Sequence, residues 1–272
     1  HTVTGSSFEF SGTLPNVDQR LHTGLAVYGT GDVTVTGSAF NHLGWGATAQ
    51  AGQLNIVNST FTDSNAGIVG RYDGKVSIAG ASFTDTFTSR ITYGVLMYDS
   101  RAASKLDITS MSFDIGPEDI AIAMTPDHFN DANPSTLGTL TFANGENGRG
   151  EGVVIRDRLY AASATIKPIG SIDTFHLYDQ HLDTTNGTSL TFQSGVTITG
   201  DPGRGQYIRS IGATASIVIE PGTLFQDVTV EATSGSVDLD GATFQMTGTR
   251  ARWYLTAING GSLTGSNLTF VG

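Results

Sequence analysis

The sequence predicts an all-β protein wound as a right-handed parallel β-helix of about ten coils. Three observations predict this fold: an eight-residue frame that recurs along the chain, a second apolar alternation between the frames, and a composition rich in strand and turn formers. Of the 272 residues, 35 are Gly and only 14% are charged. Thr and Ser abound in short segments between turn formers, so the composition favours strands joined by turns over helices.

The frame reads apolar, any, apolar, any, then Gly, Asn or Ser, then two small residues and Phe. Side chains alternate along a strand, so its two apolar positions predict a short strand with one buried face. The fifth position holds residue types that tolerate a sharp corner. Like residues recur at like positions, so each Phe is expected to stack on the Phe of the next coil. The clear copies are Val33–Phe40, Leu54–Phe61, Val76–Phe83, Leu106–Phe113 and Val237–Phe244, and His1–Phe8 and Leu263–Phe270 fit nearly as well.

Weaker copies of the frame are placed at Leu137, Ile166, Leu190 and Ile217. The copies at Leu137 and Ile166 fit poorly, because Pro168 interrupts the alternation and neither copy has the Phe. The spacing between copies varies while the frame keeps its length, as expected when loops are inserted between coils.

Between the frames, a second apolar alternation predicts further strands, as in Leu25 with Val27 and Val95 with Met97. Each repeat therefore has at least two strands and no helix. An antiparallel sandwich would also give many short strands, but it predicts hairpin connections and no fixed frame. Stacked coils account for the frame, and the sandwich does not.

Residues 1–272 are predicted to form one continuous solenoid that is a segment of a longer surface or secreted protein. His1 begins directly on the frame and Gly272 ends just after its Phe, whereas a complete solenoid has atypical polar end units. No stretch of 18 apolar residues occurs, so this segment is not expected to insert into a membrane.

The charge and the lack of Cys exclude several classes of function. With 14 basic and 25 acidic residues, the net charge is −11, so nucleic acid is not an expected partner. The absence of Cys excludes disulfides, thiolate metal sites and Cys nucleophiles. No cofactor and no metal site are predicted.

Acidic residues between positions 106 and 183 leave open an alternative function, that of a polysaccharide lyase or glycoside hydrolase. Hydrolysis needs two carboxyl groups about 5 to 10 Å apart, which a solenoid supplies from adjacent coils. None of the Asn-Thr-Asp, Asp-Asp, Gly-His-Gly and Arg-Ile-Lys motifs of pectin hydrolases occurs, so the prediction leans against an enzyme. The acids considered are Glu118, Asp119, Asp127, Asp131, Glu146 and Glu151.

A second polar cluster, between Asp173 and Asp183, contains His176, Asp179 and His181. His suits both metal binding and acid–base chemistry. Strand alternation sends His176 and His181 to opposite faces, however. The cluster is therefore interpreted as polar residues on a strand and its turn.

A column of outward residues follows the second strands and is the candidate binding surface. Its aromatic faces could pack on sugar rings, and its guanidinium groups could bind carboxylates or sulfates in bidentate fashion. Tyr and Arg also suit any exposed strand, where they stack by cation–π contact. The column reads Tyr28, Gln50, Arg71, Tyr98, Ala123, Arg156, Tyr178, Arg209, Glu231 and Thr256, and its candidate ligand-binding residues are Tyr28, Arg71, Tyr98, Arg156, Tyr178 and Arg209.

Three features together indicate a family resemblance: the repeat style of Val33–Phe40, Leu54–Phe61 and Val76–Phe83, the acidic Gly-, Thr- and Ser-rich composition, and the lack of Cys. In these features the chain resembles passenger domains of bacterial autotransporter adhesins of the pertactin and AIDA kind. The resemblance covers nearly the whole chain but includes no catalytic motif. It implies a non-enzymatic, extracellular β-helix on the bacterial cell surface, which acts through its side face and the loops of residues 84–152. The expected partners are an acidic glycan, a surface protein or a second copy of the chain.

Ice or crystal binding is a third hypothesis, and it would need a regular Thr-x-Thr ladder. The pairs Thr34 with Thr36 and Thr197 with Thr199 occur. The intervening coils break the ladder, so this function is not favoured.

Overall fold

The chain folds into parallel β-strands that stack as a solenoid of about eight turns, which confirms the predicted fold class. The computed structural model describes residues 1–10, 22–86, 91–101, 103–116, 118–130, 134–143, 152–170, 172–177, 181–201, 205–247 and 254–272. The turn count is below the predicted ten.

Two compact units make up the chain: His1–Met124 with Ser135–Val153, and Thr125–Pro134 with Val154–Gly272. Each unit is built from parallel ladders. One continuous domain stays a prediction. In the part of the chain that the structure describes, no helix has the length and apolar character needed to cross a bilayer.

In the first unit, the strands form two parallel sheets. Sheet I contains β1 (Thr2–Thr4), β2 (Ser7–Glu9), β4 (Asp32–Thr36), β5 (Ala39–Asn41), β7 (Gln53–Val57), β8 (Thr60–Thr62), β10 (Lys75–Thr84), β12 (Lys105–Asp114) and β14 (Thr136–Phe142). Sheet II contains β3 (Thr23–Tyr28), β6 (Trp45–Gln50), β9 (Ala66–Tyr72), β11 (Tyr93–Ser100) and β13 (Ile120–Met124). The strands of sheet I carry the frame, and those of sheet II carry the second apolar alternation.

The second unit contains three parallel ladders and one short helical turn. Sheet III contains β16 (Ser163–Ile166), β19 (Ser189–Phe192), β22 (Ser216–Ile219), β25 (Ser236–Asp240) and β28 (Ser262–Ser266). Sheet IV contains β17 (Thr174–Leu177), β20 (Thr197–Thr199), β23 (Leu224–Gln226), β26 (Thr243–Gln245) and β29 (Thr269–Val271). Sheet V contains β18 (His181–Thr184), β21 (Gln206–Ile211), β24 (Val228–Thr233) and β27 (Leu255–Ile258). The remaining elements are β15 (Val153–Ile155) and a 3₁₀ helix, Pro126–Phe129.

The corner position of the frame adopts the left-handed backbone conformation that its residue types predict. Gly37 has φ of 57°, Asn58 of 46° and Gly80 of 72°. A β-branched or bulky residue would be strained there, whereas Gly and Asn are tolerated. The predicted corner between two successive strands is therefore confirmed at Gly37 and Asn58, whereas at Gly80 the same backbone conformation lies within one strand, β10.

The Phe positions of the frame stack from turn to turn in the first unit. The ring centroids of Phe8 and Phe40 lie 4.7 Å apart, as do those of Phe40 and Phe61, and both pairs are nearly parallel. Strand register continues the ladder from Phe61 to Phe83 and on to Phe113. The fully buried ladder from Phe40 onwards forms the centre of the core of this unit.

A shorter aromatic ladder occupies the second unit. The ring centroids of Phe225 and Phe244 lie 5.2 Å apart, and those of Phe244 and Phe270 lie 5.5 Å apart. Phe225 and Phe244 are fully buried, whereas Phe270 is 49% exposed. The predicted stacking of Phe244 on Phe270 is therefore confirmed, whereas Phe225 lies one residue beyond the end of the frame placed at Ile217.

The frame placement at Leu137 is wrong by two residues. Leu137 pairs with Ile108, so it occupies the third frame position and not the first. Phe142 pairs with Phe113 at a ring separation of 5.5 Å, so this turn does have its Phe. The constant register with β12 keeps the eight-residue spacing, from Ser135 to Phe142, and the copy was misplaced because Ser135 holds the first position in place of an apolar residue.

The frame placement at Ile166 is displaced in the same way. Ala164 pairs with Leu190, and Ile166 pairs with Phe192. The strand ends at Ile166, so Pro168 follows the strand and interrupts nothing within it. The small side chain of Ala164 at the first apolar position hides this copy from a search for large apolar residues.

Candidate functional site

Four outward residues of sheet II align in consecutive turns. Strand register places Tyr28 beside Gln50, Gln50 beside Arg71, and Arg71 beside Tyr98. The residue before each of them in the chain is buried, so these four side chains lie on the outer side of the sheet. Tyr28 is 66% exposed. The predicted alignment of these residues is confirmed, and their role in ligand binding stays a prediction.

Arg71 is surrounded by aromatic rings and one carboxylate. Its Nη2 donates hydrogen bonds to the Tyr72 hydroxyl at 3.1 Å and to Asp99 Oδ2 at 3.0 Å. Its Cζ lies 4.5 Å from the ring centroid of Tyr98, 4.8 Å from that of Tyr72 and 6.0 Å from that of Trp45. Cation–π contact and the ion pair together hold the guanidinium, whose side chain is only 15% exposed.

Trp45 and Tyr72 were missed by the sequence analysis. The Trp45 ring lies 6.0 Å from the Tyr98 ring in an edge-on arrangement. Neither residue occupies the column position, and both reach the guanidinium because their side chains are long. Aromatic residues elsewhere on the same strands were the signal that could have identified them. We call Trp45, Arg71, Tyr72, Tyr98 and Asp99 the aromatic–arginine cluster.

The predicted column does not continue through Ala123. Ala123 pairs with Leu96, two residues before Tyr98, so it lies outside the column. Sequence pattern alone could not show this, because a shift of two residues keeps the same face of a strand. The loops of residues 84–152, predicted as a contact surface, are the connections between strands β11 to β14, and part of them lies outside the described residues.

In the second unit, Arg209 belongs to a separate column, on sheet V. Its neighbours in register are Asp183 on one side and Glu231 on the other, and Thr256 follows Glu231. Tyr178, predicted to precede Arg209, lies outside the described residues. One continuous Tyr/Arg column is therefore wrong. Sheets IV and V of this unit have the same apolar alternation, so the sequence pattern cannot show to which of the two sheets a strand belongs.

Arg209 forms a bidentate ion pair within the chain. Its Nε and Nη2 donate to the two carboxylate oxygens of Asp183, each at 2.8 Å. The hydrogen bond to Asp183 raises the pKa of Arg209 above its usual value. Burial and the nearby Arg209 charge lower the pKa of His181, whose ring lies 5.6 Å from that of Tyr207. Arg156 also faces a carboxylate, with its Nε 4.0 Å from Asp157 Oδ2.

Two of the acids considered for the alternative enzyme function accept hydrogen bonds from the backbone. Asp119 is buried and accepts hydrogen bonds from the N–H groups of Thr92 and Gly116, both at 2.9 Å. Asp127 is fully buried and accepts from the N–H groups of Tyr160 at 3.0 Å and Ala161 at 2.6 Å. Burial raises the pKa of Asp127 to about 6. Neither carboxylate is accessible to a polysaccharide.

The other acidic and histidine candidates form no joint site in the described part of the chain. Glu118 is exposed, and Asp131, Glu146, Glu151 and Asp179 lie outside the described residues. His176 Nδ1 lies 2.6 Å from Thr199 Oγ1 on the neighbouring strand of sheet IV, whereas His181 begins β18 of sheet V. The described residues contain no group of three or more His, Cys, Asp or Glu that could hold a metal ion.

The functional assignment depends on this geometry and on the residue pattern. The chain matches no protein-family model, no curated protein and no solved structure. Of the two outward columns, that of the first unit combines aromatic rings with polar groups in four consecutive turns, which makes it the stronger candidate for a binding surface.

Proposed function

We propose that this chain is part of a non-enzymatic, extracellular adhesin or structural stalk of the autotransporter type, displayed on a bacterial cell surface. In this proposal it binds glycans or the surface of a host or neighbouring cell through its side face, and self-association is a second use of the same face. The observation that carries the proposal is the aromatic–arginine cluster on the outer side of sheet II. Aromatic rings with adjacent polar groups are a common means of sugar recognition.

The partners of the acidic residues also support a binding function over an enzymatic one. Asp119 and Asp127 accept hydrogen bonds from backbone N–H groups, and Asp183 forms an ion pair with Arg209. A hydrolase needs one carboxyl group that donates a proton to the glycosidic oxygen and a second that acts as base or nucleophile. These three carboxylates are already committed to other partners.

One observation favours an enzyme as a second candidate function. Asp183 and Glu231 lie in one column, one turn to either side of Arg209. Two strand spacings of about 4.8 Å place their backbones about 10 Å apart, near the upper end of the carboxyl separation in inverting glycosidases. The bidentate ion pair to Arg209 opposes this function, because it removes Asp183 from reaction.

A glycan array, combined with assays for new reducing ends and unsaturated products, tests the proposal. We expect retention of a subset of glycans without any product, because no described carboxyl pair is poised for cleavage. The Asp183→Asn and Glu231→Gln variants serve as matched controls. Product formation that either variant abolishes would show that the chain is an enzyme.

A further inference from the structure

The outward column of sheet II has a repeat that suits an extended polymer. Its members Tyr28, Gln50, Arg71 and Tyr98 come from four consecutive turns. Neighbouring parallel strands lie about 4.8 Å apart, so about 14 Å separates the first member from the last. An extended β-linked glycan advances by a similar distance for each sugar. A glycan lying along the column would therefore meet one side chain per sugar ring.

The charges beside this column cancel. Arg71 pairs with Asp99 at 3.0 Å, and Arg101 lies 3.7 Å from Asp73, with its Cζ 5.2 Å from the ring of Tyr72. Two guanidinium groups thus face two carboxylates. The chain as a whole has a net charge of −11, so a polyanion approaching this face would meet repulsion, and the described arginines beside the column, Arg71 and Arg101, are each compensated by a carboxylate.

Arg71 supports the aromatic rings and is not free to bind an anion. Its guanidinium packs on Tyr98 and Tyr72, and its Nη2 is already hydrogen-bonded to Tyr72 and Asp99. Binding a sugar carboxylate in bidentate fashion would require breaking the Asp99 contact. The exposed ring of Tyr28 and the half-buried rings of Trp45 and Tyr98 present the surface on which sugar faces would stack.

We propose that this column, from Tyr28 to Tyr98, binds a neutral, extended β-linked glycan that lies along the turns. This inference rests on the proposed adhesin function and narrows its ligand. Sugar rings stack on Tyr28 and on Tyr98 with Trp45, and the Gln50 amide, between them, offers a donor and an acceptor to sugar hydroxyls. The acidic glycan expected from the arginines of the sequence is replaced by an uncharged one, because the arginines are paired within the chain.

Calorimetric titration with cellohexaose and with hexagalacturonate tests the inference. We expect the chain to bind cellohexaose and to show little dependence on salt, because no net charge is neutralised. Tyr98→Ala and Tyr28→Ala are each expected to weaken binding about three- to tenfold. The control is Tyr160→Ala, which removes a 47% exposed tyrosine from the second unit and is expected to leave the affinity unchanged. Melting curves establish that each variant is folded.

The Asp99→Asn variant adds a gain-of-function test to the experiment. The substitution leaves Arg71 with an uncompensated charge, so we expect measurable binding of hexagalacturonate to appear, with strong salt dependence. Retained cellohexaose binding alongside this gain would support the inference.

Two outcomes would overturn the inference, and they differ in what they imply for the proposed function. If the unmodified chain prefers hexagalacturonate, or if Tyr28→Ala and Tyr98→Ala leave cellohexaose binding intact, the ligand assignment is wrong while a glycan-binding adhesin stands. If neither these oligosaccharides nor any member of the glycan array is retained, both the inference and glycan recognition by this chain fail together.

Discussion

Phe61→Ala is expected to lower the free energy of unfolding of the first unit by about 3–5 kcal/mol. Phe61 is fully buried, and its ring stacks on that of Phe40 at 4.7 Å. In register it also faces Phe83 on the next turn. Truncation removes contacts on both sides and leaves a cavity that neighbouring turns, fixed by their own backbone ladders, cannot fill. Urea denaturation followed by circular dichroism measures the loss.

Phe270→Ala is the matched control for Phe61→Ala, because it removes the same residue type from the same frame position. Phe270 is 49% exposed and stacks within the frame ladder on Phe244 at 5.5 Å. We expect a loss of about 1 kcal/mol or less in the second unit. Equal losses in both variants would mean that burial in the ladder does not set the stability.

Acidification is expected to destabilise the second unit through His128. This residue is fully buried, and burial lowers its pKa from 6.5 to about 3. The unfolded chain therefore takes up a proton at a higher pH than the folded chain does. The stabilising contribution is fully present above pH 6.5 and is lost as the pH falls toward about 3. The effect across this window is several kcal/mol.

The pH dependence of the stability contribution from Asp127, the residue before His128, has the opposite sign. Its pKa is raised from 3.8 to about 6, so its contribution is present below pH 3.8 and is lost as the pH rises through about 6. Between these values the two residues offset each other. The net loss on acidification is therefore expected between about pH 6.5 and 6, and again below about pH 4.

Melting temperatures between pH 3 and 7 of the unmodified chain and of His128→Gln measure the histidine contribution. We expect the variant to lose less stability on acidification than the unmodified chain. His42→Gln, at a half-exposed histidine of the first unit, is the control and should follow the unmodified chain. Parallel pH profiles for all three proteins would refute the assignment to His128.

The fold was predictable from the sequence because its strongest signals are local and repeated. The frame places apolar residues, corner and Phe at fixed positions, and these determine strand, turn and stacking together. The prediction failed where a small or polar residue occupied an apolar position, as at Ala164 and at Ser135, two residues before Leu137.

The candidate site was predictable only in part. Alternation correctly aligned Tyr28, Arg71 and Tyr98, because a column follows directly from register. It could not show that Arg209 lies on a different sheet, or that Asp99 and Asp183 neutralise the arginines. Those contacts depend on side-chain reach between turns, which a single-sequence pattern does not encode.

Cysteine pairing tests the winding of the chain most directly, because the chain has no Cys of its own. Thr34 and Asn55 are register partners on adjacent turns, and Ser77 lies one turn further on. Cα atoms about 4.8 Å apart are within disulfide range, and those about 10 Å apart are not. After mild oxidation, Thr34→Cys with Asn55→Cys is expected to form an intramolecular disulfide, while Thr34→Cys with Ser77→Cys stays reduced. A disulfide in the second pair but not in the first would contradict parallel stacking of successive turns.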